Sequence, residues 1–164
     1  MAFRLTSPDF KDGDYLGQDQ ILSAVYGFGC AGGNRSPRLK WDDPPAGTES
    51  FTLTVYDPDA PTGSGFWHWR GCNLPANCRE WPGGIGMGGT LPAGAIETRT
   101  DFGKPGYGGP CPPPGDHPHR YLFALYAVKG KVNVTADTPA AQVGFQLHFA
   151  TLAKATLMGL YKRS

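Results

Sequence analysis

The chain has 164 residues, a length that fits one domain around one core, and its 40% hydrophobic share is ordinary for a globular protein. Fifteen Lys and Arg nearly cancel fourteen Asp and Glu, for a formal net charge of +1, so there is no basic excess to hold a nucleic-acid backbone or an anionic membrane surface. With 24 Gly and 16 Pro, the apolar runs are divided into short segments by turns, which points to a β-sandwich or barrel.

The first fifteen residues lack the apolar core of a signal peptide. No stretch approaches the roughly 20 apolar residues of a membrane-spanning helix, so stable membrane insertion is not expected. The expected location is cytoplasmic, with periplasmic as the alternative if the chain is a mature form. Residues 1–164 read as a single domain.

Leu39 and Trp41 give a first, short strand signal. Phe51, Leu53 and Val55 alternate with Thr52, Thr54 and Tyr56, the period-2 pattern of a strand. A turn at Pro61-Thr62-Gly63-Ser64-Gly65 leads into a second strand from Trp67 to Leu74. Arg79–Ala95 and Asp101–Pro118, both rich in Gly and Pro, read as long irregular stretches, and loops of that length are often functional. Tyr121–Val128 is apolar on both faces and suits a strand inside a packed sheet. One helix is expected from Pro139 to Phe149, with Thr138 as N-cap, Pro139 at the first helical position, and Ala140, Val143, Gly144 and Leu147 at helical spacing. Thr151–Tyr161 gives a weaker strand signal.

Three clusters carry chemical potential. In Asp57-Pro58-Asp59-Ala60-Pro61 two prolines stiffen the backbone around two carboxylates, which either organise the turn through bonds to backbone N–H groups or point into a cleft. In Phe66-Trp67-His68-Trp69-Arg70 strand alternation puts His68 on the face opposite Trp67 and Trp69. It is either a structural histidine bonded to a carbonyl or a pocket residue. The segment Gly108 to Tyr121 contains His117, His119 and Tyr121. His119 and Tyr121 share a strand face, and Arg120 points away, where a salt bridge would tie the loop down. Glycines there allow close backbone approach to a ligand.

This inventory fits an anion cradle in which a carboxylate orients the imidazoles and the histidines donate. It also fits, more weakly, a metal held by Asp57, His68, His117 and His119. Neither G-x-S-x-G nor a phosphate- or dinucleotide-binding fingerprint is present, so no cofactor is expected. A Cys111–His pair lacks an orienting third group. The four cysteines Cys30, Cys72, Cys78 and Cys111 form no C-x-x-C pair. Their even count permits disulfides without showing them, and four free thiols are the alternative.

Taken in order, these segments resemble the phosphatidylethanolamine-binding protein family, whose members are also called Raf kinase inhibitor proteins, and most closely its bacterial YbhB/YbcL type. The resemblance rests on Asp57–Pro61 with Trp67-His68-Trp69 and on Gly109–Tyr121, supported by Ser36–Trp41, Pro45–Thr48, Asn73–Ala76 and Thr100–Gly103. It covers almost the whole chain. It implies a mainly β fold, an antiparallel two-sheet Greek-key sandwich with one or two peripheral helices. It also implies a surface pocket for a small anion such as phosphate, phosphoethanolamine or acetate, formed by Asp57, Asp59, Pro61, His68, Gly109, Pro110, Pro112, His119 and Tyr121. The C-terminal helix that covers the pocket in animal members is expected to be missing here, and the pocket to be more open. Cys30 and Cys111 lie in Gly-rich loops beside family motifs and are expected to pair, which would fit an exported bacterial relative.

The resemblance makes a non-enzymatic binding module the leading expectation, acting as a sensor, a carrier or an inhibitor of a kinase or hydrolase. A homodimer is left open. The rivals are a small hydrolase or isomerase with His119 as base and Asp57 as its orienter, and a protein inhibitor whose pocket is incidental. If neutral His68 and His119 must donate, binding should strengthen as the pH falls towards about 6.5.

Overall fold

The computed structural model describes residues 2–84 and 91–164. Residues 85–90 of the irregular stretch expected over Arg79–Ala95 lie outside the described residues. Two antiparallel sheets are formed. The smaller has the order β1-β2-β5, with β1 at Arg4–Thr6, β2 at Leu39–Asp42 and β5 at Glu80–Trp81. The larger has the order β6-β4-β3-β7-β8, with β3 at Ser50–Asp57, β4 at Phe66–Pro75, β6 at Ile96–Glu97, β7 at His119–Val128 and β8 at Thr151–Tyr161.

The alternation in β3 fixes which side is inside. Phe51, Leu53 and Val55 pair with Ala127, Leu125 and Phe123 of β7, and all six are buried. Leu5, Leu39, Trp41 and Trp81 of the smaller sheet pack onto this face. Trp81 lies 4.6 Å from Trp69 and Trp41 lies 5.5 Å from Phe51, ring centre to ring centre. The Trp81 indole covers Gly71 of β4 so closely that no Cβ fits there. The chain leaves β4 for the smaller sheet, returns as β6 on the far side of β4, and then crosses to pair β7 with β3. β7 therefore sits between β3 and β8; Tyr121, Phe123, Leu125 and Ala127 of one face join the inner core, while Tyr126 and Val128 pack with Val143 and Leu147 of the helix on the outer side, which accounts for its two apolar faces.

The helix α1, Ala140–Ala150, covers part of the outer face. Val143 and Leu147 pack with Cys72, Val128, Val132 and Val134. The helix starts and ends one residue later than the sequence suggests, and Thr138 does not cap it. The Thr138 hydroxyl instead turns back to accept the Thr135 N–H at 2.9 Å, which leaves Pro139 as the N-cap with no side-chain bond. Gly144 is exposed rather than on the buried stripe. Beyond α1, the described residues hold one short 3-10 turn, Ala24–Tyr26. No helix among them is long and apolar enough to cross a membrane.

Candidate functional site

Three strand ends meet at one edge of the larger sheet. Because the strands are antiparallel, the C-terminal end of β3 lies beside the N-terminal ends of β4 and β7. This brings Asp57, His68, His119 and Tyr121 around one cavity of about 200 Å³. Leu22, Phe28, Pro61, Phe66, Phe102, Pro112 and Pro113 give it largely apolar walls.

His68 reaches the cavity through a bulge. Val55 faces Trp69 and Tyr56 faces Trp67, so His68 is an extra residue without a partner on β3. Trp67 stays outside, against Tyr56 at 4.2 Å and beneath the Arg70 guanidinium at 5.1 Å. His68 and Trp69 both turn inward. His68 meets Tyr121 at 5.2 Å and Phe102 at 5.4 Å, while Trp69 packs in the core. Strict alternation opposes His68 to both tryptophans. The bulge corrects that for Trp69, since it shifts the pleat by one residue.

The polar connections are specific. His68 Nδ1 lies 2.7 Å from the Gly108 carbonyl. A carbonyl only accepts, so Nδ1 carries the proton and Nε2 presents a lone pair. Burial holds the His68 pKa below the usual histidine value, against the raising effect of that bond. His119 has a carboxylate on each nitrogen, Asp57 Oδ2 at 2.7 Å from Nδ1 and Asp116 Oδ2 at 2.9 Å from Nε2. Burial opposes the charged ring, but the bonds to Asp57 and Asp116 and their charges outweigh it and raise the pKa. Ionised carboxylates only accept, so with both bonds made the His119 ring is an imidazolium, the form its raised pKa favours, and both N–H groups are engaged. The Tyr121 hydroxyl stays protonated because burial pushes its pKa far up. The expectation that both histidines donate to a ligand is therefore revised: neither has a free N–H.

Asp57 fills both roles considered for it. Its Oδ1 accepts the Asp59 N–H at 2.8 Å and organises the turn, while the residue also lines the cavity. Pro61, Gly109 and Pro112 line it too. Asp59 and Pro110 are not part of the lining. The Asp59 carboxylate is taken by Arg120, through the backbone N–H at 2.8 Å, Nε at 3.0 Å and Nη2 at 2.8 Å, and these bonds lower its pKa. The Pro110 carbonyl accepts the Leu22 N–H at 3.1 Å and so ties its loop to the segment between β1 and β2. Arg120 ties down the Asp57–Pro61 turn.

Loop 101–118 is fastened along β4. Asp101 accepts the Trp67 N–H at 2.7 Å, and Gly108 N–H donates to the His68 carbonyl at 3.1 Å. Gly109 donates to Asn34 Oδ1 at 2.8 Å, and its Cα presses against the Gln20 carbonyl with no room for a Cβ. A disulfide joins Cys111 to Cys30, so Cys111 is no nucleophile, while Cys72 and Cys78 are free. Arg163 Nε donates to the Pro112 carbonyl at 2.6 Å. His117 is exposed and outside the lining, and among the described residues no group of three or more His, Cys, Asp or Glu is arranged to hold a metal.

Asp116, Asn34, Phe28 and Leu22 were not foreseen as site residues. Only Asp116 had a signal, because it precedes His119 by three in a turn that runs into the strand. Asn34 lies 75 residues from the amide it accepts, and no local pattern reports such a contact.

A family model described as phosphatidylethanolamine-binding protein matches residues 6–162. The chain is 46% identical over 164 residues to YbcL of Escherichia coli (strain K12), which covers 98% of this chain and 88% of that protein. It is 48% identical over 160 residues to YbhB of the same strain, covering 96% and 99%. The crystal structure of E. coli YbcL, described as a new member of the mammalian PEBP family, superposes with a TM-score of 0.94 at 45% identity over the full length of both chains. On these matches, and on the two-sheet fold they share, the chain belongs to the phosphatidylethanolamine-binding protein family.

Proposed function

We propose that the cavity binds a small phosphorylated or carboxylated anion, such as phosphate or phosphoethanolamine, and that the protein acts through this binding as a Raf kinase inhibitor-like regulator of a kinase or hydrolase. The observation that carries the reading is the Asp57–His119 pair. It is a buried imidazolium–carboxylate couple at 2.7 Å, set in an apolar cavity beside the Tyr121 hydroxyl and His68. The His119 charge is balanced by Asp57 and Asp116, so the cavity recognises an anion through its hydrogen-bonding side chains, Asp57, His68 and Tyr121, whose bonds are stronger in apolar surroundings than at an open surface.

The arrangement argues against the rival reading in which His119 is the general base. A general base needs a free lone pair, and both His119 nitrogens are engaged with carboxylates. The Cys30–Cys111 bridge supports an oxidising compartment over the cytoplasm. Calorimetry with phosphate and phosphoethanolamine on the wild type and on His119→Ala tests the site. Loss of binding in the variant is expected, and equal affinity would refute the assignment. A kinase or hydrolase captured by the protein should be released by His119→Ala if the occupied cavity governs that contact.

A further inference from the structure

We propose that the cavity selects anions that carry a transferable proton, so that it takes up a protonated phosphoryl group and rejects sulfate. This rests on the anion-binding reading above and names the class of anion that the site prefers.

The charged and titratable groups around Asp57 are His68 from β4, His119 and Tyr121 from β7, the Asp59–Arg120 pair, and Asp101 and Asp116 in the long loop. Both N–H groups of His119 are committed to Asp57 and Asp116. The ring N–H of His68 is committed to Gly108, the guanidinium of Arg120 to Asp59, and the amide of Gly109 to Asn34. Among the lining side chains two acceptors remain toward the cavity, the unused lone pairs of Asp57 and the Nε2 lone pair of His68, and the Tyr121 hydroxyl offers a donor. Asp57, His68 and Tyr121 all line the space.

A fully ionised anion would set its own lone pairs against those of Asp57 and His68. A buried acceptor that faces another acceptor loses its solvation and gains nothing. A phosphoryl group resolves the conflict because its second pKa is about 6, so it takes a proton readily near neutrality. The dianion and one proton from the buffer give the bound monoanion, whose O–H donates to Asp57 or to His68 Nε2. No bond to phosphorus forms or breaks. Burial depresses the basicity of His68, which keeps the proton on the ligand rather than on the ring. Sulfate has the same shape, but its conjugate acid is too strong for it to carry a proton near neutrality. Discrimination by an obligatory hydrogen bond is steep, because the rejected ligand leaves buried polar groups unpaired.

The test is titration calorimetry of the intact protein with inorganic phosphate and with sulfate at matched ionic strength, in two buffers of different ionisation enthalpy. Phosphate is expected to bind at least about 100-fold more tightly than sulfate. At about pH 8 its binding should take up close to one proton, because the free anion is then mostly the dianion. Asp57→Asn can turn an amide N–H towards the cavity, so its phosphate-to-sulfate ratio should fall towards about one. Sulfate affinity within about threefold of phosphate in the wild type, or phosphate binding without proton uptake at that pH, would overturn the proposal. If Asp57→Asn does not fold, the two wild-type measurements decide. Phosphate binding that is unchanged in His119→Ala would instead refute the site itself, and absence of phosphate binding to the wild type would overturn both readings.

Discussion

Replacing both Cys30 and Cys111 by alanine should have a large and calculable effect on stability. The bridge spans a sequence separation of 81 residues. In the chain-entropy account, closing a loop of that length removes about 15 cal/mol/K from the unfolded ensemble, or about 4.5 kcal/mol at room temperature. Cys30 is buried and Cys111 half-buried, and alanine leaves only a small void in place of the sulfurs, so the entropic part should dominate. For a domain of this size each kcal/mol shifts the melting temperature by about 2–4 °C, which predicts a loss of about 10 °C or more. The assay is urea and thermal unfolding of the double variant beside the wild type, with and without reductant. Reductant should bring the wild type close to the variant and leave the variant unchanged. The variant should also bind phosphate more weakly, because Cys111 lines the cavity and its partner loop carries Phe28. A loss below about 1 kcal/mol, or a wild type indifferent to reductant, would refute the reasoning.

Other substitutions separate the roles of neighbouring residues. The pKa of His119 is raised in the folded state, so its ion pairs contribute fully below the unfolded value of about 6.5 and are lost as the pH rises through the folded value. The stability advantage of the wild type over His119→Gln, about 1–3 kcal/mol for a charged hydrogen bond, should therefore shrink from pH 6 towards pH 9 in urea titrations, and a flat difference would exclude the ion pair. Asp59→Ala should lower stability by less than about 1 kcal/mol, because the Asp59–Arg120 pair is solvent-screened, and should leave phosphate affinity within about twofold. A marked loss of affinity there would return Asp59 to the binding site. Gly71→Ala drives a methyl into the buried Trp81 ring and should destabilise by about 3 kcal/mol or fail to fold, seen as a shifted melting temperature with reduced tryptophan burial.

The long strands were legible because their apolar periodicity extends over many residues. Phe51 to Val55 announces an inner face, and Tyr121 to Val128 an interior strand. β1, β5 and β6 are two or three residues long, too short for any period to register. Their existence depends on partners distant in sequence. At the site, the reach of Asp57, His68, His119 and Tyr121 towards one another followed from the order of motifs rather than from local chemistry. The commitments of their hydrogen bonds did not follow at all. Asp116 and Gly108 decide which nitrogens remain open, and Asp116 is placed by a turn while Gly108 acts only through its backbone. Asp59 and Pro110 adjoin true lining residues in sequence, yet Arg120 and Leu22 draw them away.

The extra residue at His68 works as a phase slip between two registers of one strand. Upstream of it, β4 keeps time with the cavity; downstream, it keeps time with the tryptophan core. Deleting a single residue between Phe66 and Trp69 would restore plain alternation from Phe66 to Gly71 and turn either the imidazole or the indole out to solvent. This hairpin therefore tolerates changes of side chain far better than changes of length. A designer who grafts the cavity onto another sheet must carry the slip along with the residues it serves.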